Sequence, residues 1–205
     1  MKYKNLTVSQ KGLSLIESAM VLAISAVVVS GVLYYYNQAQ ENRKLEEGIK
    51  QIQTIAATVN KLYTNSTTRL QNGDDAANNK VVEAISAISG IPTKKLSNGN
   101  AKVFTTPSGQ WVQLWVEAKN PINTYQLETQ VQSVSSCISY ATLNMGTIMA
   151  GTTQVITDRT NHVNNSNSNS SSNFSLSPSI ASDACKRAEN AANGNNIKVR
   201  YTLRY

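Results

Sequence analysis

The apolar and polar positions divide the chain early. Across residues 18–36 no side chain carries a formal charge, and the run ends in Tyr34, Tyr35 and Tyr36. As a helix, residues 13–36 would cover about 36 Å, enough to cross a bilayer core of roughly 30 Å with the tyrosines at the interface. Beyond Tyr36 the pattern changes but does not stop. Leu45, Ile49, Ile52, Ala56, Val59 and Leu62 or Tyr63 recur at three- and four-residue steps, separated by Glu46, Glu47, Lys50, Gln51, Asn60 and Lys61. That spacing places one apolar stripe on a helix. No proline interrupts residues 13–65, so both halves read as a single helix of about 50 residues. Gly31 and Gly48 each cost it up to about 1 kcal/mol against alanine. They either allow local bending or serve ordinary small-residue packing.

The remainder alternates short elements. Residues 65–79 are polar and contain Gly73-Asp74-Asp75, which reads as a loop. Val81, Val82, Ala84, Ile85 and Ile88 then suit a short helix stopped at Gly90, with Pro92 just beyond. Val103-Phe104 and residues 111–116 flank Pro107-Ser108-Gly109, the pattern of two strands and a turn. Tyr125, Leu127, Thr129 and Val131 alternate as a further strand. Val134, Cys137, Ile138, Ala141 and Met145 have helical spacing, with Gly146 placed as a C-cap. Residues 154–157 read as a short strand and 164–173, nearly pure Asn and Ser, as an exposed loop. Residues 179–188 read as a short helix. Ile197, Val199, Tyr201, Leu203 and Tyr205 alternate with Lys198, Arg200, Thr202 and Arg204, a half-buried strand with a basic outer face. That face is either solvated or turned to an acidic neighbouring subunit.

Charge and cysteine content sharpen the picture. Of the formal charge of +7 in 205 residues, Lys2, Lys4 and Lys11 precede the apolar run. This is the bias of a cytoplasmic amino terminus, and the remaining charge is too scattered to argue for nucleic acid. The apolar run is longer than a signal-peptide h-region, which spans about 7–15 residues, so it reads as retained. Cys137 and Cys185 lie beyond a membrane-crossing segment, where a disulfide is the economical reading and two buried thiols the alternative. A bridge would contribute roughly 4 kcal/mol in the chain-entropy model. Groups for catalysis are few. His162 is the only histidine and sits beside the Asn/Ser stretch, Asp74 and Asp75 are adjacent in a turn, and two distant cysteines make no zinc site. No cofactor is implied, and the chain does not read as an enzyme.

Glu17 is the anomaly at the entrance of the apolar run. An acid deep in a bilayer costs about 2.5–3.5 kcal/mol, less near an end. It either sits in the headgroup layer or awaits a cation. Cutting after Gly12 would free the amine of Leu13, four residues away on the same helix face. The amine of one chain could then meet the carboxylate of the next.

Gly12-Leu13-Ser14-Leu15-Ile16-Glu17 followed by a long uncharged run resembles the processing site of type IV pilins. The resemblance implies cleavage between Gly12 and Leu13 by a prepilin peptidase that also methylates the Leu13 amine. It implies Glu17 as the assembly carboxylate. Leucine at the first mature position is similar to the type IVb branch. Residues 137–146, from Cys137 to Gly146, resemble the matching helix of bundlin. The implied fold is α+β, a long amino-terminal helix spine on an antiparallel β-sheet head. Its implied divisions are a leader at 1–12, a membrane and polymerisation segment at 13–36, an amphipathic half at 37–65, and a head at 66–205 with a disulfide-bounded region 137–185. The implied function is the major structural subunit of a homo-oligomeric filament for adhesion, aggregation or mating contact. Its implied partners are an inner-membrane assembly platform and an assembly ATPase. The subunit would sit in the inner membrane before joining an extracellular pilus. A minor pilin or pseudopilin, or a membrane-tethered periplasmic domain that never polymerises, are the alternative readings.

Overall fold

The structure is a computed structural model that describes residues 14–67, 69–70, 75–96, 99–116, 123–158, 160–163, 174–192 and 196–205. The expected long helix is present as α1, Leu15–Tyr63, unbroken at either glycine. The chain falls into two units, Met1–Arg43 and Lys44–Tyr205. In the first, α1 leaves its apolar side chains exposed. In the second, it buries Gly48, Ile52, Ile55, Ala56, Thr58 and Val59, with Leu45, Ile49, Leu62 and Tyr63 packed at the margin of the core.

Helix α2, Asp75–Ser89, buries Val82 and Ile85. Gly90 ends it with φ +71°, a conformation that favours glycine. The helix begins inside the stretch whose polarity suggested a loop. Asp75 favours its first turn electrostatically. Asn79 is fixed from outside, donating to the Asn100 carbonyl at 2.8 Å and accepting from the Lys102 amide at 2.6 Å.

Among the described residues seven strands form one sheet, every neighbouring pair antiparallel, in the order β1-β2-β3-β4-β7-β5-β6. These are β1 Thr93–Lys95, β2 Lys102–Thr105, β3 Trp111–Trp115, β4 Thr124–Val131, β5 Met149–Thr157, β6 Thr160–Asn161 and β7 Ile197–Arg204. The alternation read in β7 is the core pattern. Ile197, Val199, Tyr201 and Leu203 are buried, and they share the core with Val112, Leu114, Tyr125, Leu127 and Val155. The last strand in sequence lies between β4 and β5 and joins the two parts of the sheet.

Helix α3, Val134–Ala141, starts at a reciprocal cap between Ser133 and Ser136. It ends four residues before the expected Met145. The Thr142 hydroxyl donates to the Ile138 carbonyl at 2.9 Å, and Asn144 Oδ1 accepts from the Gly146 amide at 2.8 Å. Such local side-chain bonds compete with helix continuation. Gly146 therefore does not cap α3; it opens a short 3-10 turn, Gly146–Ile148, that leads into β5. β5 is longer than the strand read at 154–157. Helix α4, Pro178–Ala192, places proline at its first position, as its fixed φ favours, and buries Ala181, Ala184, Cys185 and Ala188 on one face. Cys137 and Cys185 form a disulfide that joins α3 to α4, with Cα atoms 6.0 Å apart. The reading of two buried thiols is thereby excluded. The Asn/Ser stretch 164–173 lies outside the described residues.

Candidate functional site

Ser14 and Glu17 meet at the start of α1. The Ser14 amide donates to Glu17 Oε2 at 3.3 Å, and the Glu17 amide donates to Ser14 Oγ at 3.2 Å. Each side chain satisfies a backbone donor that the first turn of a helix leaves unpaired. Sequence reasoning assigned Glu17 a role and gave Ser14 none. The signal for Ser14 is the Ser-x-x-Glu spacing ahead of an apolar run. Both Ser14 and Glu17 are exposed. Gly12 and Leu13, the expected cleavage and methylation positions, lie outside the described residues.

The segment behind them is apolar on every side and unburied. Leu15 is 89% exposed, Val27 73% and Tyr35 74%. Burying such side chains stabilises by about 1.5–3 kcal/mol each, so this surface favours a bilayer or other apolar helices over water. Its serine hydroxyls are turned onto the helix backbone. Ser25 donates to the Val21 carbonyl and Ser30 to the Ala26 carbonyl, both at 2.7 Å. That arrangement suits a non-aqueous surrounding, where an unpaired polar group costs several kcal/mol.

The bases on the outer face of β7 are partly exposed and are also engaged within the chain. Glu128 of β4, almost fully buried, accepts from Arg200 Nε at 2.8 Å, and Lys198 Nζ stands 3.7 Å from its other oxygen. Lys198 lies over the Trp111 ring, 5.7 Å from its centroid, and Arg200 over Trp115 at 5.0 Å. Arg204 donates to the Met149 carbonyl at 2.9 Å. These cations are therefore engaged within the chain.

His162 lies half-buried just after β6. Its Nε2 contacts the Thr157 hydroxyl, and its carbonyl accepts from Arg187 of α4 at 2.9 Å. Burial, then the Arg187 charge, lowers its pKa from 6.5. Asp75 lies in α2, whereas Asp74 is outside the described residues. Among the described residues, no group of three or more His, Cys, Asp or Glu side chains could hold a metal ion.

The Bundlin family model matches residues 37–204. Two curated relatives are the "Major structural subunit of bundle-forming pilus" of Escherichia coli O111:H- and that of Escherichia coli O127:H6 (strain E2348/69 / EPEC). Each is 31% identical over 182 residues, covering 88% of this chain and 90% of its own length. A solved type IV b pilin from Salmonella typhi has the same fold, with a TM-score of 0.53 at 13% identity over 77% of this chain and 98% of its own. The amino-terminal helix with its uncharged run over residues 18–36, the antiparallel head with its disulfide between α3 and α4, and these matches lead to one conclusion: the chain belongs to the bundlin family and is a structural pilin.

Proposed function

We propose that this chain is the major subunit of a type IVb pilus, made as a prepilin and polymerised through α1. Residues 1–12 are its leader, whose lysines hold the amino terminus in the cytoplasm. Residues 13–36 cross the inner membrane, and 37–65 carry the helix into the head of residues 66–205. A prepilin peptidase cuts between Gly12 and Leu13 and methylates the Leu13 amine. An assembly ATPase, acting through an inner-membrane platform, then drives extraction into a filament that serves adhesion, aggregation or mating contact. Apolar helices of many subunits bundle, and Glu17 of one meets the Leu13 amine of another.

The observation that carries this reading is the exposed, uncharged run behind a single acid. A domain merely tethered to a membrane needs the run and would use Glu17 only as a helix cap. The family's curated relatives, named as major subunits, favour the major over the minor role.

The test is amino-terminal mass spectrometry of material sheared from cells. It should find abundant chains that begin at methylated Leu13. Glu17→Leu should still be cut yet yield no filaments. Sheared filaments built of uncut chains, or undiminished filaments from Glu17→Leu, would overturn the proposal.

A further inference from the structure

We propose that Ser14 is a positioning residue for Glu17 in assembly. This rests on reading Glu17 as the assembly carboxylate and adds what holds it in place. A glutamate side chain at the end of a helix has three free torsions. Here one of its oxygens is held by the Ser14 amide, while its own amide is held by the Ser14 hydroxyl. The two bonds close the same turn: the Ser14 hydroxyl fixes the Glu17 backbone, and that turn presents the Ser14 amide to Oε2, so Ser14 acts on the carboxylate through the turn and not by direct contact.

The geometry divides the carboxylate. Oε2 faces the backbone of its own helix. No described residue bonds to Oε1, which leaves it to accept a hydrogen bond from an ammonium group. One carboxylate can thus cap its helix and receive a cation together, since an ionised carboxyl offers about four lone-pair sites. A side chain fixed beforehand loses less freedom when it meets a neighbouring subunit.

The two roles of Glu17 separate by substitution. Glutamine serves in this type of cap as glutamate does, but it carries no charge. Glu17→Gln should therefore retain the cap and lose assembly. Ser14→Ala should retain the charge and lose the cap. Threonine caps nearly as well as serine, so Ser14→Thr should restore function.

The experiment uses the full-length chain in cells, with sheared-filament yield and amino-terminal mass as readouts. Amide hydrogen exchange of the same chains in lipid nanodiscs reports the cap. We expect Ser14→Ala to be cut normally, to lose protection at the Glu17 amide, and to give about fivefold fewer filaments, as the typical effect of losing a cap implies. Ser14→Thr should give filaments near the wild-type amount. Glu17→Gln should keep protection at the Ser14 amide and give none. Wild-type yield from Ser14→Ala, with Glu17→Leu still blocked, would overturn the role of Ser14 alone. Wild-type yield from both would overturn the reading of Glu17 as well. An uncut Ser14→Ala chain would also count against the proposal, since the hydroxyl would then serve the peptidase.

Discussion

Gly48 makes room for one atom. A Cβ placed there would collide with the Tyr140 hydroxyl, and the ring carbon behind it would stand at 3.5 Å, an ordinary contact. Tyr140 is held in α3 with 4% of its surface exposed, and its carbonyl accepts from the buried Tyr201 hydroxyl at 2.6 Å. Burial pushes the Tyr140 phenol up to about 12. Alanine at position 48 gains up to about 1 kcal/mol in helix propensity, but overpacking costs typically about 1–3 kcal/mol. We expect Gly48→Ala to destabilise the head by about 1–2 kcal/mol on this balance. Combined with Tyr140→Phe, which removes the colliding oxygen, the same alanine should cost nothing or stabilise slightly. Urea unfolding of the four forms would show this as a coupling energy. Strict additivity would reject the packing explanation. The sequence offered bending and small-residue packing for this glycine. It could not choose, because the atom that decides belongs to a helix far along the chain. Gly31 has nothing within 4 Å to meet, so that choice stays open there.

At the scale of elements, what could be read was whatever carried its own period. β7 and the second half of α1 show their buried side chains at steps of two and of three to four residues, and β4 carries its apolar residues Tyr125, Leu127 and Val131 on one alternation although Thr124 to Thr129 are all buried. β1 and β6 have no such period. Each is two or three residues long and mostly exposed, and each exists through pairing with β2 or β5. The partners of Lys198 and Arg200 were equally hidden. The register Glu128↔Arg200 that brings acid and base together is a property of the sheet. The tie between the β5–β6 hairpin and α4 belongs to the same class, and it predicts a pH dependence. His162 follows β6 and touches Thr157 of β5, while Arg187 of α4 holds its carbonyl. Its folded pKa lies below 6.5 because burial and Arg187 both disfavour the imidazolium. The unfolded chain therefore binds the proton more readily. The contribution of neutral His162 is fully present above about pH 6.5 and declines as pH falls through the window below it. Urea midpoints measured from about pH 7 to about pH 5 should fall more steeply for wild type than for His162→Gln. Parallel profiles would mean that the imidazole is equally solvated in both states.

For the whole molecule, the proposed function divides cohesion from assembly between the two units, and this division can be tested by cutting between them. The residues of the hydrophobic core cluster, with the side chains packed against it, run from Leu45 to Tyr205. The disulfide lies in the same unit. The exposed large apolar side chains of the described chain all belong to residues 15–36, apart from Ile88 at 52% exposure. The cysteine pair was legible from residue type alone, since the chain has only two. The core was legible only as stripes, since which stripe meets which depends on the sheet order. If the division is physical, a chain that begins at Lys44 and is exported to an oxidising compartment should be soluble, monomeric and cooperatively folded. Its disulfide closes a separation of 48 residues, worth about 4 kcal/mol if it acts by restricting the unfolded chain. Reduction should therefore lower its unfolding free energy by about 2–5 kcal/mol. It should do so without changing filament-forming capacity, because this piece lacks the apolar helix and Glu17. Sedimentation and urea unfolding with and without reductant would measure both effects. A truncated chain that aggregates or unfolds without cooperativity would show that the core depends on residues before Lys44. One that still polymerised would show that assembly does not require the helix assigned to it.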